Sequence, residues 1–386
     1  MTSSTPQQVR TPQTLWREWL VDKALPLWRE AGFDTKRRLF HERLDWQAGP
    51  VRLGALRLMV QARQIATYCR ATIDTLHDGM DQALTCLDTV EALYHRGDGS
   101  AGWVFSVNPE GRPASTKRDL YAHAFILFAY GWAIRMADRP EDRKMARLIA
   151  EEIDLIFTAP NEGYLDSIPD SGTLRSQNPH MHLLEAYLAV FEATGDAFYL
   201  ERARKLIDLA RTRLIDRSSG LLLEFFDYRW TPLKAGGQNQ VQPGHLFEWS
   251  WLLRDYARLS RCDEADRSWL LETAEGLFRA GFVSGCDMST SRVYDSMTEN
   301  RVITGHASRI WAQTELLRLL HGAPYSMTHG NEADRFAHGF LERFAPERLN
   351  GGWIDHIDAN GEPLVDYMPA SSFYHIYGAG RQIVLK

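Results

Sequence analysis

The chain is poor in cysteine: its 386 residues include four, Cys69, Cys86, Cys262 and Cys286, with no C-x-x-C pair among them. That argues against a disulfide scaffold or a cysteine zinc site and reads as free thiols buried in a reducing cytoplasm. No run approaches the roughly 18 consecutive apolar residues of a membrane span. Nothing at the N-terminus resembles a charged segment followed by an apolar one. The expected location is therefore cytoplasmic, with no membrane partner. Basic excess is missing too, since 44 Lys and Arg face 50 Asp and Glu for a net charge of −6. Phosphate-backbone binding needs a concentrated basic surface, which excludes nucleic acid as the expected partner. No glycine-rich nucleotide loop is visible, and no low-complexity linker interrupts residues 30 to 386.

What is there is an ordinary globular composition, 44% hydrophobic and 24% charged, organised as an internal repeat. A glycine followed by an apolar or aromatic residue opens a short strand-like segment at Gly32-Phe33, Gly102-Trp103, Gly163-Tyr164, Gly220-Leu221, Gly285-Cys286 and Gly352-Trp353, 57 to 70 residues apart. Tight turns are expected at 108–111, 169–172 and 358–361, each ending in glycine. Apolar residues at i, i+3, i+4 and i+7 predict helices over 12–31, 52–73, 78–95, 116–138, 140–157, 178–194, 196–214, 243–261, 264–282, 302–321, 332–346 and 371–383. They pair off. The first of each pair is more apolar, the second studded with charge, which predicts an inner and an outer ring. Repeats of this period bury their apolar faces only against neighbours. The expectation is an all-α fold, an (α/α)6 barrel with short β-hairpins at one rim. Residues 1–11 are expected as a flexible segment and 12–386 as a single catalytic domain.

Function on such a scaffold is expected where each hairpin hands over to its inner helix. Those stretches hold Arg63, Tyr121 with His123, Asn178 with His180 and His182, His245 with Glu248, His306 with Trp311, and His375. His245 and Glu248 are spaced i, i+3, which places a carboxylate where it can orient an imidazole. The plain alternative is a first-turn capping glutamate. His375 lies between Tyr374 and Tyr377, where a satisfied core histidine is the competing reading. His180 and His182 diverge on a helix, so no metal site is expected. Arg63 in an apolar helix requires partners, either a buried salt bridge or substrate oxygens. Trp311 and Trp353 stand near junctions where flat rings stack on sugars.

Gln61-Ala-Arg-Gln64, Met181-His-Leu-Leu-Glu-Ala-Tyr187, Pro243-Gly-His-Leu-Phe-Glu-Trp249, Ile310-Trp-Ala-Gln-Thr-Glu315 and Phe373-Tyr-His375 resemble, in order and spacing, the N-acylglucosamine 2-epimerase superfamily. Gln177-Asn-Pro-His-Met-His-Leu-Leu-Glu185 and Gly352-Trp-Ile-Asp355 are most similar to its D-mannose isomerase branch. The resemblance implies an (α/α)6 barrel acting on a monosaccharide, with Arg63, His182, His245, Glu248 and His375 as its catalytic set and no cofactor. The expected reaction is metal-free aldose–ketose interconversion through a cis-enediol, D-mannose to D-fructose and also D-lyxose to D-xylulose. In it His245, its tautomer held by Glu248, shuttles protons at oxygen, while His375 moves the proton between C2 and C1. Arg63 and His182 bind the sugar oxygens, with Tyr121, Asn178, Trp311 and Trp353 as further substrate contacts. A 2-epimerase is the alternative. A glycoside hydrolase using carboxylates such as Asp166, Asp355 or Glu315, or a non-catalytic binding barrel, would leave the histidine pair idle. A monomer or homodimer is expected.

Overall fold

Six inner helices form a closed ring in the computed structural model, which describes residues 10–170, 174–234 and 236–386. They are α3 (Leu58–Ile73), α5 (Leu120–Ala137), α7 (Gln177–Thr194), α9 (Pro243–Leu259), α11 (Ile310–His321) and α13 (Phe373–Val384). Each packs on the next, and α13 packs back on α3. The outer helices α4 (Met80–Tyr94), α6 (Pro140–Phe157), α8 (Ala197–Leu209), α10 (Glu264–Ser284) and α12 (Gly330–Arg343) each cover the inner helix before them. The last inner helix, α13, is covered by α1 (Pro12–Trp19), which continues through a wide turn at Leu20–Ala24 into α2 (Leu25–Glu30). No helix among the described residues is long and apolar enough to cross a membrane.

The predicted contrast between rings has a packing cause. In α5 an unbroken run from Ala122 to Gly131 is buried, so apolar residues occupy every face. In α6 burial returns at Ala146, Ile149, Ala150, Ile153 and Phe157, a single stripe with charge elsewhere. Local chemistry sets the helix starts: Pro243 supplies the pre-set φ of a first turn in α9. At α5, Asp119 caps by accepting from Ala122 N at 3.0 Å.

The rim opposite the helix C-termini is a belt of very short strands. The residues just before each inner helix pair antiparallel with the next repeat's hairpin: Leu56–Arg57 with Ser106–Val107, Arg118–Asp119 with Ser167–Ile168, Arg175–Ser176 with Phe225–Phe226, Gln240–Val241 with Ser296–Thr298, and Ser308–Arg309 with His356–Ile357. Tyr367–Pro369 closes the belt on Arg43–Asp45. This pairing corrects three predicted helices: Arg118 and Asp119 are strand, so α5 begins at Leu120 and not 116. Leu56 and Arg57 are strand, so α3 begins at Leu58 and not 52. Ile303–Gly305 and Ser308–Arg309 are strand, so α11 begins at Ile310 and not 302, leaving His306 exposed in the loop. Residues 1–9 of the expected flexible segment, and Ser171 and Gly172 of the expected turn, lie outside the described residues.

Two of the recurring junction histidines are structural ties. His123 Nδ1–H donates to Asp119 O at 2.8 Å, and Nε2 accepts from Trp103 N at 3.0 Å. His180 does the same with Ser176 O and Tyr164 N, both at 3.0 Å. The preceding glycines, Gly102 (φ +82°) and Gly163 (φ +64°), let the hairpin come this close, since a Cβ there would lie 2.9 and 3.1 Å from the ring nitrogens. Glutamine performs the task elsewhere: Gln61 accepts from Phe40 N at 2.7 Å, and Gln313 from Val293 N at 2.7 Å.

Candidate active site

All six inner helices present side chains to one cavity of about 370 Å³ at the hairpin rim. It is lined by Arg63, Tyr121, Asn178, His182, His245, Trp311 and His375, together with Gln242, Arg309, Asp355, Ser371 and Ser372. Glu248 and Trp353, expected alongside them, do not line it.

His245 sits in the first turn of α9, where side chains lean toward the helix N-terminus and so toward the rim. Its Nδ1 meets Glu224, not Glu248: the two carboxylate oxygens lie 2.9 and 3.0 Å away. Glu224 comes from the preceding hairpin and is buried. Gln177 Nε2 donates to Glu224 Oε2 at 3.0 Å, and Trp249 Nε1–H donates to Gln177 Oε1 at 2.8 Å, which fixes the amide's orientation. With Glu224 accepting from Nδ1–H, Nε2 is the nitrogen left for the cavity. The i, i+3 pairing of His245 with Glu248 is thus corrected, because three residues of helix carry Glu248 about 4.5 Å further down the axis. Sequence reasoning missed Glu224 and Gln177. The signal for Glu224 was an acid set in an apolar strand, between Leu223 and Phe225.

His375 has a parallel arrangement. Nδ1 lies 2.7 Å from Glu315 Oε1, and Glu315 Oε2 accepts from Trp251 Nε1 at 2.9 Å. Burial, with the Arg63, Arg318 and His245 charges, holds His375 well below the usual imidazole range. Burial pushes the Glu315 carboxyl up. His375 is therefore neutral near pH 7, with Nε2 turned to the cavity.

A floor of acids lies beneath. His182 Nδ1 is 3.3 Å from Glu185 Oε2 and 3.7 Å from Glu248 Oε1, and Tyr374 OH donates to Glu185. Burial depresses His182 to about 4. Burial also pushes Glu185 up, but the His182 contact, the Arg318 charge and the Tyr374 hydroxyl outweigh it and hold that carboxyl low. Glu248 is pushed well above the carboxylate range by burial and by the Glu315 and Glu185 charges, and neither of its oxygens has a hydrogen-bond partner among the described residues. These effects favour its protonated form. His182, Glu185 and Glu248, and likewise Glu248, Glu315 and His375, each bring one ligand atom within 4.8 Å of the others, so these are the residues that could hold a cation.

The upper wall supplies hydrogen bonds. Arg63 donates to Ser371 O at 2.9 Å and to Tyr121 OH, and its guanidinium lies 4.1 Å from the Phe125 ring centroid. Of the two alternatives for this arginine, the buried salt bridge is not formed among the described residues: its hydrogen-bond partners are a backbone carbonyl and a hydroxyl. Asn178 Oδ1 is buried without a hydrogen-bond partner among the described residues. The Trp311 ring lies 4.8 Å from His245 and 5.9 Å from His375, making one wall shared by both imidazoles.

The family pattern of N-acylglucosamine 2-epimerase (GlcNAc 2-epimerase) matches residues 40–379. The chain belongs to that family. Membership makes it a sugar-acting enzyme of the isomerase and epimerase class. Mannose-6-phosphate isomerase of Rhizobium meliloti (strain 1021) is 32% identical over 371 residues, covering 93% of each chain. D-mannose isomerase of Pseudomonas cannabina pv. alisalensis is 27% identical over 302 residues, covering 72% of this chain and 71% of that one. A crystal structure of D-mannose isomerase superposes with a TM-score of 0.82 at 19% identity over 99% of this chain and 100% of that one, which shows the shared (α/α)6 barrel.

In this epimerase-family barrel Trp353 is a core residue. It is fully buried against Trp28 and Phe373, with both ring centroids 5.3 Å away. Among the carboxylates weighed for hydrolysis only Asp355 reaches the cavity, and Ser372 Oγ donates to it. Asp166 is bound by Ser176 N and Oγ at 3.1 and 2.5 Å and does not line the cavity, and Glu315 is engaged by His375 and Trp251.

Proposed function

We propose that this enzyme interconverts an aldose and a ketose, D-mannose and D-fructose first and D-lyxose and D-xylulose second, by proton transfer through a cis-enediol. The observation that carries the reading is the pair of imidazoles facing one cavity, His245 and His375, each with Nδ1 held by a buried carboxylate. An imidazole with a free Nε2 suits proton abstraction and return, and burial keeps that of His375 neutral near neutral pH.

His245 assists ring opening. His375 Nε2 then takes the C2 proton, and the electron pair forms the C1–C2 double bond as the carbonyl π pair moves to O1. His245 Nε2, which carries no proton of its own, takes the O2 proton and delivers it to O1, so that the enediol state passes its one hydroxyl proton from O2 to O1. Collapse then makes the C2 carbonyl and returns the carbon-bound proton from His375 to C1. No atom is gained or lost, and every proton is carried by the chain's own side chains. Arg63, Tyr121, Asn178 and His182 hold the sugar oxygens and stabilise charge developing on O1. Trp311 lies along the sugar between the two bases. Reprotonation at C2 from the other face would give a 2-epimer, so both outcomes share this machinery.

A phosphorylated hexose is a second reading, favoured by Arg309, an exposed arginine at the cavity mouth. The experiment is proton NMR in deuterated water with EDTA-treated enzyme and either D-mannose or D-mannose 6-phosphate. Fructose formed with partial retention of the original C2 proton is the expected result. Glucose as main product moves the assignment to 2-epimerisation, and turnover of the phosphate ester alone moves it to the second reading. Activity lost to EDTA and restored by a divalent cation overturns the metal-free route.

A further inference from the structure

The end of the barrel away from the hairpins holds a second cavity, of about 660 Å³, lined by six arginines: Arg70, Arg135, Arg254, Arg258, Arg318 and Arg381. Only two carboxylates, Glu192 and Asp255, share the lining. Four of the arginines have an acid. Arg135 and Arg258 meet Glu192 at 2.8 and 2.9 Å, Arg258 also meets Asp255 at 2.6 Å, Arg381 meets Asp74 at 2.6 Å, and Arg254 meets Glu275 at 3.2 Å.

Arg70 and Arg318 form no ion pair among the described residues, although the Arg318 charge acts on Glu185 and Glu315 and the Arg70 charge on Asp74 and Glu315. Arg70 is 2% exposed, and its Nε and Nη1 have no hydrogen-bond partner among the described residues. It is held by ring faces, Trp132 at 5.2 Å and Tyr377 at 5.4 Å. Arg318 lies 3.4 Å above Trp251. Both tips converge beside Gly378, where a Cβ would stand 3.7 Å from Arg70 Nη2 and 3.8 Å from Arg318 Nη1. Inner-helix C-termini favour cations at this end through their dipoles. That accounts for arginine being here, but it supplies no acceptor to the inward-facing N–H groups of Arg70. A buried guanidinium without an acceptor is costly unless an anion meets it.

We propose that this cavity is an oxyanion site distinct from the catalytic one, with Arg70 and Arg318 gripping a ligand of the phosphate class. A planar guanidinium fork matches phosphate oxygens in bidentate fashion, and the charge-assisted bonds are the strong ones.

The test is calorimetric titration of the full chain with inorganic phosphate and with pyrophosphate, against sodium chloride at matched ionic strength. Saturable binding of one anion per chain is expected, weakened about tenfold or more in both Arg70→Gln and Arg318→Gln. It should be unchanged in Arg309→Gln and unaffected by saturating D-mannose. Circular dichroism checks that the variants fold; should Arg70→Gln fail, the half-buried Arg318 carries the test. Absence of saturable binding overturns the proposal, as does binding that survives Arg318→Gln. Binding lost in Arg309→Gln or displaced by mannose places the anion in the catalytic cavity, which also overturns it.

Discussion

Glu224 Oε1 lies 2.9 Å from His245 Nδ1, reaching from the hairpin that precedes α9 to a histidine 21 residues later. Both groups are buried, so this contact fixes the imidazole's tautomer without competition from water. Glu224→Ala should therefore lower kcat about 100-fold, the scale of a disabled acid–base group, with KM changed far less. Glu248→Gln leaves the Glu224–His245 contact in place and should cost under tenfold, roughly 1.4 kcal/mol at most. Steady-state kinetics on the two variants check the order. A larger loss at Glu248 would return the tautomer role to it.

This relationship also marks where sequence reading stops. Helix periodicity showed the ring, because inner helices such as α5 must be apolar on every face and outer ones such as α6 on one stripe. Arg63, His182, His245 and His375 could be gathered from their common place after each hairpin. Glu224 could not, because it is delivered by pairing between Arg175–Ser176 and Phe225–Phe226, a contact between repeats that leaves no spacing signature. The i, i+3 rule instead favoured Glu248, which shares a helix with His245 but sits one turn deeper. Trp353 misled for a related reason: nearness to a junction in sequence does not say whether a ring faces the cavity or, as here, stacks on Trp28 and Phe373.

The two bases should separate isotopically. His375→Asn removes the group assigned to carbon, so it should abolish deuterium entry at C1 and C2 and lower turnover at least about 100-fold. His245→Asn removes the group assigned to oxygen. It should suppress product to a similar extent while slow exchange at C2 persists, since the enediolate still forms and returns. NMR of recovered mannose measures this. Exchange persisting in His375→Asn and vanishing in His245→Asn would reverse the assignment.

Trp311 and Trp353 should part company in the same way. Trp311→Ala removes a cavity wall and should raise KM with little effect on melting. Trp353→Ala empties a fully buried site in an aromatic stack and should destabilise the fold by about 3–5 kcal/mol, read as a lower melting midpoint with KM unchanged in the molecules still folded. A KM effect confined to Trp353→Ala would put that ring back on the substrate.

His180 offers a test of the scaffold that leaves the chemistry aside. Its Nε2 accepts from Tyr164 N at 3.0 Å, so the ring must be unprotonated there, and burial lowers its folded pKa from 6.5 to about 4. The unfolded chain thus binds a proton that the folded chain refuses between those values. Stability is complete above pH 6.5 and falls as pH drops toward 4, by about 3 kcal/mol for this group. Gln61 makes the corresponding bond to Phe40 N without titrating. His180→Gln should therefore fold with a stability at pH 7.5 within about 2 kcal/mol of the parent, yet lose less stability on acidification. Urea midpoints at pH 7.5 and pH 5 measure both. An acid limb of unchanged steepness would mean that protonation of His180 does not oppose this hairpin tie.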